Sequence, residues 1–115
     1  MNSVSLIGNL ATDVQRKQVG EQKLLATFLL AVDRFGGEQA DFLPVVAWEK
    51  QAELCGRVLS KGKRVAIVGR LRSRSVEEEG RRRTFVDVVA HQVELLSPPN
   101  ARGAESDVPF EAAVA

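Results

Sequence analysis

Residues 42–48, FLPVVAW, decide how this chain folds. Successive side chains of a β-strand point to opposite faces, so a strand here places Leu43, Val45 and Ala47 together. The opposite face carries the remaining four residues, Phe42, Pro44, Val46 and Trp48. Both faces are apolar, but a small domain has only one core. The face with two aromatic rings is therefore expected to meet another protein layer or a ligand with flat apolar surfaces.

Length and composition limit the class of protein. The chain has 115 residues, 44% of them hydrophobic, which suits one domain with one core. No apolar run approaches the roughly 20 residues that cross a membrane, and the N-terminus lacks a secretion signal, so we expect a cytoplasmic protein that does not enter a membrane. The single cysteine, Cys55, excludes an internal disulfide and a cysteine-based zinc cluster. We predict neither a metal nor another cofactor.

Alternating apolar residues predict four more strands around the central one, at residues 3–10, 23–34, 64–76 and 82–95. Between the third and fourth strands the apolar period changes to three and four residues, which predicts a short helix over residues 49–61 with Gly62 as its C-terminal cap. Three strands, a lone helix and two strands are the order of an OB-fold, a five-stranded Greek-key barrel. A β-sandwich fits this order less well.

The domain is expected to end near Ser97, because two prolines follow it. Residues 98–115 are rich in alanine and acidic groups and contain few large apolar side chains. Such a segment lacks the apolar surface needed to pack. We therefore predict an all-β domain over residues 1–97 and a flexible acidic tail over residues 98–115.

Arg70, Arg72 and Arg74 form a row on one face of the predicted fourth strand. The row spans about 13 Å, comparable with two nucleotides of an extended backbone. A row of charges alone fits a solvated surface equally well. Its combination with Phe42 and Trp48 favours binding of single-stranded nucleic acid, in which bases stack on rings and phosphates meet guanidinium groups.

Phe35 lies beside a glycine-containing loop, where a large ring either covers the barrel or stacks on a base. We interpret it as a third stacking residue. Enzymatic signals are poor. Five residues separate Gly56 from Gly62 where a phosphate loop has four, and Arg64 replaces the magnesium-binding Ser or Thr. His91 has no evident nucleophile or metal partner, so we expect no catalysis.

Seven segments resemble bacterial single-stranded DNA-binding proteins, over about residues 1 to 97. They are residues 2–10 (NSVSLIGNL) with Asp13 after them, 26–28 (ATF), 30–32 (LAV), 45–53 (VVAWEKQAE), 61–62 (KG), 68–74 (VGRLRSR) and 87–90 (DVVA). The resemblance implies an OB-fold, usually assembled as a homotetramer, that coats single-stranded DNA in replication, recombination and repair. It also implies that Phe42, Trp48 and Phe35 are stacking residues, and that Arg72 and Arg74 occupy basic positions.

The chain departs from this family in three places. Val76 stands where some members have a further tryptophan, and Pro44 where some have a basic residue, which implies weaker binding or a shorter site. The glycine loop after Phe35 is short, which removes possible contacts with a wrapped strand. The family's tail commonly ends in acidic residues followed by Pro-Phe and recruits partner enzymes.

Here the corresponding tip contains Asp107, Pro109 and Phe110, but residues 111–115 follow it. Recognition that needs a terminal carboxylate next to Phe110 would be lost. Recruitment of replication or recombination proteins through this tail is thus a hypothesis.

Two other functions remain open from the residues alone. Phe42 and Trp48 could pack against a partner chain in a primosome-like interaction module. The chain could instead be an RNA-binding or enzymatic OB domain. RNA preference would appear as equal or tighter binding of uridine than of thymidine oligomers. The shortness of the chain favours an accessory paralogue over the main replication protein.

Overall fold

The computed structural model describes residues 1–21, 23–36 and 39–97. These residues form one helix and six strands in a single sheet. In chain order the elements are β1 (Val4–Leu10), β2 (Gln15–Val19), β3 (Lys23–Asp33), β4 (Ala40–Trp48), α1 (Glu49–Val58), β5 (Arg64–Glu78) and β6 (Arg81–Leu95).

Five of the strands close into a ring in the order β1, β5, β6, β4 and β3, with β3 returning to β1. β1 closes it by pairing with β5 along most of its length and with β3 at Asn9 and Leu10. β4 and β6 are parallel, and the other pairs are antiparallel. At the closure, a Cβ on Gly8 would collide with the carbonyl oxygen of Ala31. This ring, with a helix between its third and fourth strands in chain order, is the predicted OB-fold.

The sixth strand, β2, was not predicted, so the expected count of five strands was one short. Among the described residues, β2 pairs only with β3, from Gln15 opposite Thr27 to Val19 opposite Lys23. Four of its five residues are exposed. An edge strand outside the core needs no apolar alternation, and alternation was the signal used for the other strands.

The core lies inside the ring and beneath α1. Alternation along β3 predicts a core face of Ala26, Phe28, Leu30 and Val32. The first three are buried there, and Val32 is partly buried against the core. α1 covers one end of the barrel with Ala52 and Cys55, both completely buried. Burial raises the pKa of the Cys55 thiol to about 11, so this cysteine is inert near neutral pH.

The helix ends earlier than expected, and Gly62 is not its cap. α1 stops at Val58, and Leu59, which is extended and buried, donates its amide to the Cys55 carbonyl at 2.9 Å. Burying the Leu59 side chain draws the backbone out of the helix before Gly62 is reached. Gly62 instead lies in the following turn with φ of 93°, where its amide donates to the carbonyl of Leu10 at 2.9 Å.

β4 continues into α1 without a loop. Trp48 is extended, and Glu49, the first helical residue, has a φ of 51°. A positive φ is unfavourable for a residue with a Cβ, so the sharp change of direction beside Trp48 is made at the cost of local strain.

Candidate nucleic-acid interface

The register of the sheet places the aromatic row and the arginine row on one continuous outer face. Residues paired across neighbouring strands lie on the same face. Val46 of β4 lies opposite Val89 of β6, and Val89 in turn lies opposite Arg70 of β5. The two rows therefore flank β6 on the same side of the barrel. The strand β3 continues this face beyond β4 with Leu25, Thr27, Leu29 and Ala31.

The burial of β4 follows the predicted alternation except at Leu43 of the core face, which is only partly buried, and at Val46 of the outer face, which is buried. Val45 and Ala47 point into the core and are completely buried. On the outer face Phe42 is 61% exposed. Trp48, by contrast, is partly buried and lines a groove.

Three predicted site residues, Trp48, Arg72 and Arg74, line this groove. It has a volume of about 510 Å³, within the range of small-ligand sites. Six of the residues that line it are Thr27, Pro44, Val46, Trp48, Arg72 and Arg74. The groove therefore combines an indole ring, apolar side chains and two guanidinium groups, a combination that suits a flat base attached to an anionic backbone.

Arg72 and Arg74 are held by a carboxylate that the sequence analysis did not identify as a site residue. Arg72 donates from Nη2 to Asp87 Oδ2 at 3.1 Å, and Arg74 donates from Nε to the same oxygen at 2.7 Å. The Asp87 side chain is 3% exposed, against 32% for Arg72 and 50% for Arg74. Asp87 thus lies on the floor of the groove with both arginines over it.

The charge state of Asp87 follows from these contacts. Burial by itself raises the pKa of the Asp87 carboxyl, but the hydrogen bonds and positive charges of Arg74 and Arg72 outweigh burial. The pKa of Asp87 is consequently lower than the ordinary aspartate value, and the group is ionised at neutral pH.

A second aromatic ring, Phe85, supports Arg74 from the direction of the β5–β6 hairpin. Phe85 lies opposite Arg74 in the register, and the Arg74 guanidinium carbon lies 5.2 Å from the ring centroid. The guanidinium of Arg83 lies over the same ring at 5.3 Å. Both distances are within the range of cation–π contacts. Phe85 therefore belongs to the outer face.

Arg70 shares this face but lies outside the groove. It is exposed beside Val89 and makes no ion pair within the part of the chain that the structure describes. Of the three predicted arginines, the structure brings two together at Asp87 and leaves the third, Arg70, open to solvent.

Phe35 occupies the turn after β3 and is fully exposed. It does not cover the barrel, which was the alternative to a stacking role. The neck of its loop is held by Arg34, whose side chain donates to Asp41 Oδ1 at 2.8 Å and to Gln39 Oε1 at 3.1 Å. Phe35 and Phe42 both lie outside the lining of the groove.

Asp107, Pro109 and Phe110, with the whole predicted tail, lie outside the described residues. Within residues 1–21, 23–36 and 39–97, no cluster of three or more metal-ligating side chains is found. None of the described residues form a helix with the length and apolar character of a membrane span.

Known proteins resemble this chain over most of its length. The sequence model of the Single-strand binding protein family matches residues 1–96. The chain is 44% identical over 112 residues to the single-stranded DNA-binding protein of Clostridium tetani (strain Massachusetts / E88), covering 92% of this chain and 77% of that protein. It is 42% identical over 102 residues to single-stranded DNA-binding protein 3 of Clostridium acetobutylicum, covering 84% and 71%. It is 37% identical over 112 residues to single-stranded DNA-binding protein A of Bacillus subtilis (strain 168), covering 92% and 65%.

Proposed function

This chain belongs to the Single-strand binding protein family, and from that membership we infer that it coats single-stranded DNA through the outer face of its barrel. It binds single strands without strong sequence preference, in replication, recombination or repair. The observation that carries this inference is the groove in which Trp48 lies beside Arg72 and Arg74. Every base has a flat π-face and every nucleotide a phosphate, so such a site tolerates any sequence.

Each predicted residue has a role in this proposal. Bases stack on Trp48 in the groove and on Phe42 farther along β4, with Phe35 as a third ring. Alanine substitution of such a ring typically costs about 1 to 3 kcal/mol per stacked base. Arg70, Arg72 and Arg74 contact phosphates. Trp48 and Phe42 are six residues apart on one strand, about 20 Å, so the bound strand crosses the sheet over several nucleotides.

We further propose that the protein is not an enzyme, uses neither metal nor cofactor, and acts in the cytoplasm, where the single strands of a bacterial genome occur. The names of its relatives describe binding proteins, which supports the first of these statements.

Assembly into a homotetramer is also proposed. Its support is a pair of exposed apolar side chains on neighbouring strands, Ile7 of β1 and Val68 of β5. Such a patch suits contact with a second copy of the chain. The acidic residues 98–115 would form a separate tail for replication or recombination proteins. Deleting residues 111–115 is expected to strengthen binding of a partner that reads a terminal Pro-Phe carboxylate, and unchanged affinity would count against that role.

Titration with oligo-thymidine, followed by tryptophan fluorescence at low and high salt, tests the function directly. Trp48 is the sole tryptophan, so the signal reports one position. We expect saturable quenching, with affinity that falls as salt rises. No quenching, together with a negative independent binding assay, would identify the outer face as a protein interface. Equal or tighter binding of oligo-uridine would identify an RNA-binding domain.

A further inference from the structure

A buried carboxylate in a groove that binds a polyanion needs an explanation. Asp87 lies on the floor of the groove and is ionised at neutral pH. Its charge repels a phosphate placed nearby, so by Coulomb's law alone it lowers affinity. Its contacts with neighbouring residues offer a reason for a carboxylate at this position.

The contacts show what Asp87 does to the two arginines. Arg72 is directly opposite Asp87 in the β5–β6 register, and Arg74 is two residues farther along. Both guanidinium groups reach the same atom, Oδ2 of Asp87. Because an aspartate side chain is short and this one is buried, the atoms that contact it are held close to the sheet.

These contacts leave donors for a ligand. Among the hydrogen bonds of the described residues, Arg74 uses only Nε and Arg72 only Nη2. The terminal Nη atoms of Arg74 and Nη1 of Arg72 therefore stay available. A free arginine loses rotamer entropy when it is immobilised, and an arginine already held loses less on binding.

Arg74 is restrained a second time by the ring of Phe85, 5.2 Å from its guanidinium carbon. A carboxylate and an aromatic ring thus fix one arginine from two sides, on elements of regular β-structure. Sites built in this way are more precisely placed than sites on loops.

We propose that Asp87 is a positioning residue of the binding groove, which holds Arg72 and Arg74 beside Trp48 before the DNA strand arrives. This inference rests on the proposed function. Removing the negative charge of Asp87 should therefore weaken binding of single-stranded DNA. If Asp87 were only a counter-anion that phosphate displaces, its removal should tighten binding, so the sign of the effect separates the two roles.

The test compares Asp87→Asn with Glu21→Gln in the full chain. Glu21 is exposed in the turn before β3, so its replacement removes the same unit of charge without touching the arginines. Affinity for labelled oligo-thymidine is measured by anisotropy, and folding is checked by urea unfolding. We expect about tenfold weaker binding for Asp87→Asn, because a loss of that size corresponds to one charge-assisted contact. Glu21→Gln should leave binding unchanged or make it slightly tighter. Equal or tighter binding by Asp87→Asn would overturn the proposal.

A double-mutant cycle tests whether Asp87→Asn weakens binding only by disturbing the fold. In a chain that already carries Arg72→Ala and Arg74→Ala, the further change Asp87→Asn should not weaken binding, because the groups that Asp87 positions are gone. The same tenfold loss in that background would show that Asp87 acts through the fold and would also overturn the proposal.

Arg74→Lys keeps the test decisive if Asp87→Asn does not fold, because the half-exposed Arg74 can be replaced safely. Lysine keeps the charge but not the planar fork that lies between Asp87 and Phe85. We expect about fivefold weaker binding with an unchanged salt dependence. Affinity equal to that of the unmodified chain would contradict positioning. Failure of the unmodified chain to bind oligo-thymidine would instead refute the proposed function itself.

Discussion

The two ends of the outer face of β4 differ in how much of the binding geometry exists before a ligand arrives. At one end, Trp48 is partly buried against a groove whose two arginines are held by Asp87 and, for Arg74, by Phe85. At the other end, Phe42 is 61% exposed and Phe35 projects fully into solvent. The Trp48 end is pre-organised, whereas the rings of the other end lose side-chain freedom only when a base arrives. Affinity should therefore be concentrated at the Trp48 end.

The largest expected effect is that of Trp48→Ala. We expect the affinity for oligo-thymidine to fall about 100-fold, near the upper limit for loss of one stacked base. Phe42→Ala should cost about tenfold and Phe35→Ala about threefold, because each of these rings gives up part of its stacking energy to become ordered. Anisotropy of a labelled oligonucleotide measures all three, since the first variant lacks tryptophan. A greater loss for Phe42→Ala than for Trp48→Ala would refute the contrast between the two ends.

The arginines sharpen the same comparison, because one of them lies outside the pre-organised set. Arg70 is exposed and has no carboxylate partner within the described ranges. Removal of a free guanidinium that contacts one phosphate should make the negative slope of log affinity against log salt shallower by about 0.7. We expect Arg70→Ala to show this change with about a threefold loss of affinity in low salt. An unchanged slope would exclude a phosphate contact at Arg70.

The pre-organised end should also be visible in the stability of the unligated protein. The folded-state pKa of Asp87 lies below its ordinary value, so its ion pairs stabilise the fold above the unfolded-state pKa of about 3.9. This stability is lost as pH falls from there through the folded-state pKa. Urea unfolding of the unmodified chain and of Asp87→Asn should therefore differ most near neutral pH and converge in acid. A constant difference between the two chains from pH 7 to pH 2 would contradict the assignment.

The pre-organised end is also where sequence reasoning and structure differ most. Alternation in residues 42–48 predicted which side of β4 faces the core, because the strand period is fixed by backbone geometry. It could not identify Asp87 as the partner of two arginines, because that pairing depends on the register of the β5–β6 hairpin. The loop of that hairpin has only two residues, Glu79 and Gly80, since Glu78 lies opposite Arg81.

The missed register has a specific physical cause. Glu79 has a φ of 50° and Gly80 a φ of 76°, as a tight turn between strands of right-handed twist requires. Glycine adopts this conformation readily, but glutamate rarely does, so the sequence does not identify residues 79–80 as a two-residue turn, and the predicted strands ended at residue 76 and resumed at residue 82. The true two-residue turn places Arg72 opposite Asp87. Asp87 was therefore absent from the predicted site because this register was not predicted.

The smallest expected effect is a change in stability on replacing Glu49, the residue after Trp48. It tests whether the strained backbone at Glu49 contributes to the binding site or only to the fold. Glu49 has a φ of 51°, which glycine adopts without strain. Glu49→Gly should raise the free energy of unfolding by about 1 kcal/mol. This value is the strain that is removed, reduced by the greater conformational freedom that glycine gives the unfolded chain. Urea unfolding measures this gain, and oligo-thymidine binding should stay within twofold, because Trp48 is placed by the β3–β4 pairing opposite Leu25. Should binding weaken tenfold while stability rises, the strained turn and not the sheet would be what orients Trp48, and the pre-organised end would extend into the start of α1.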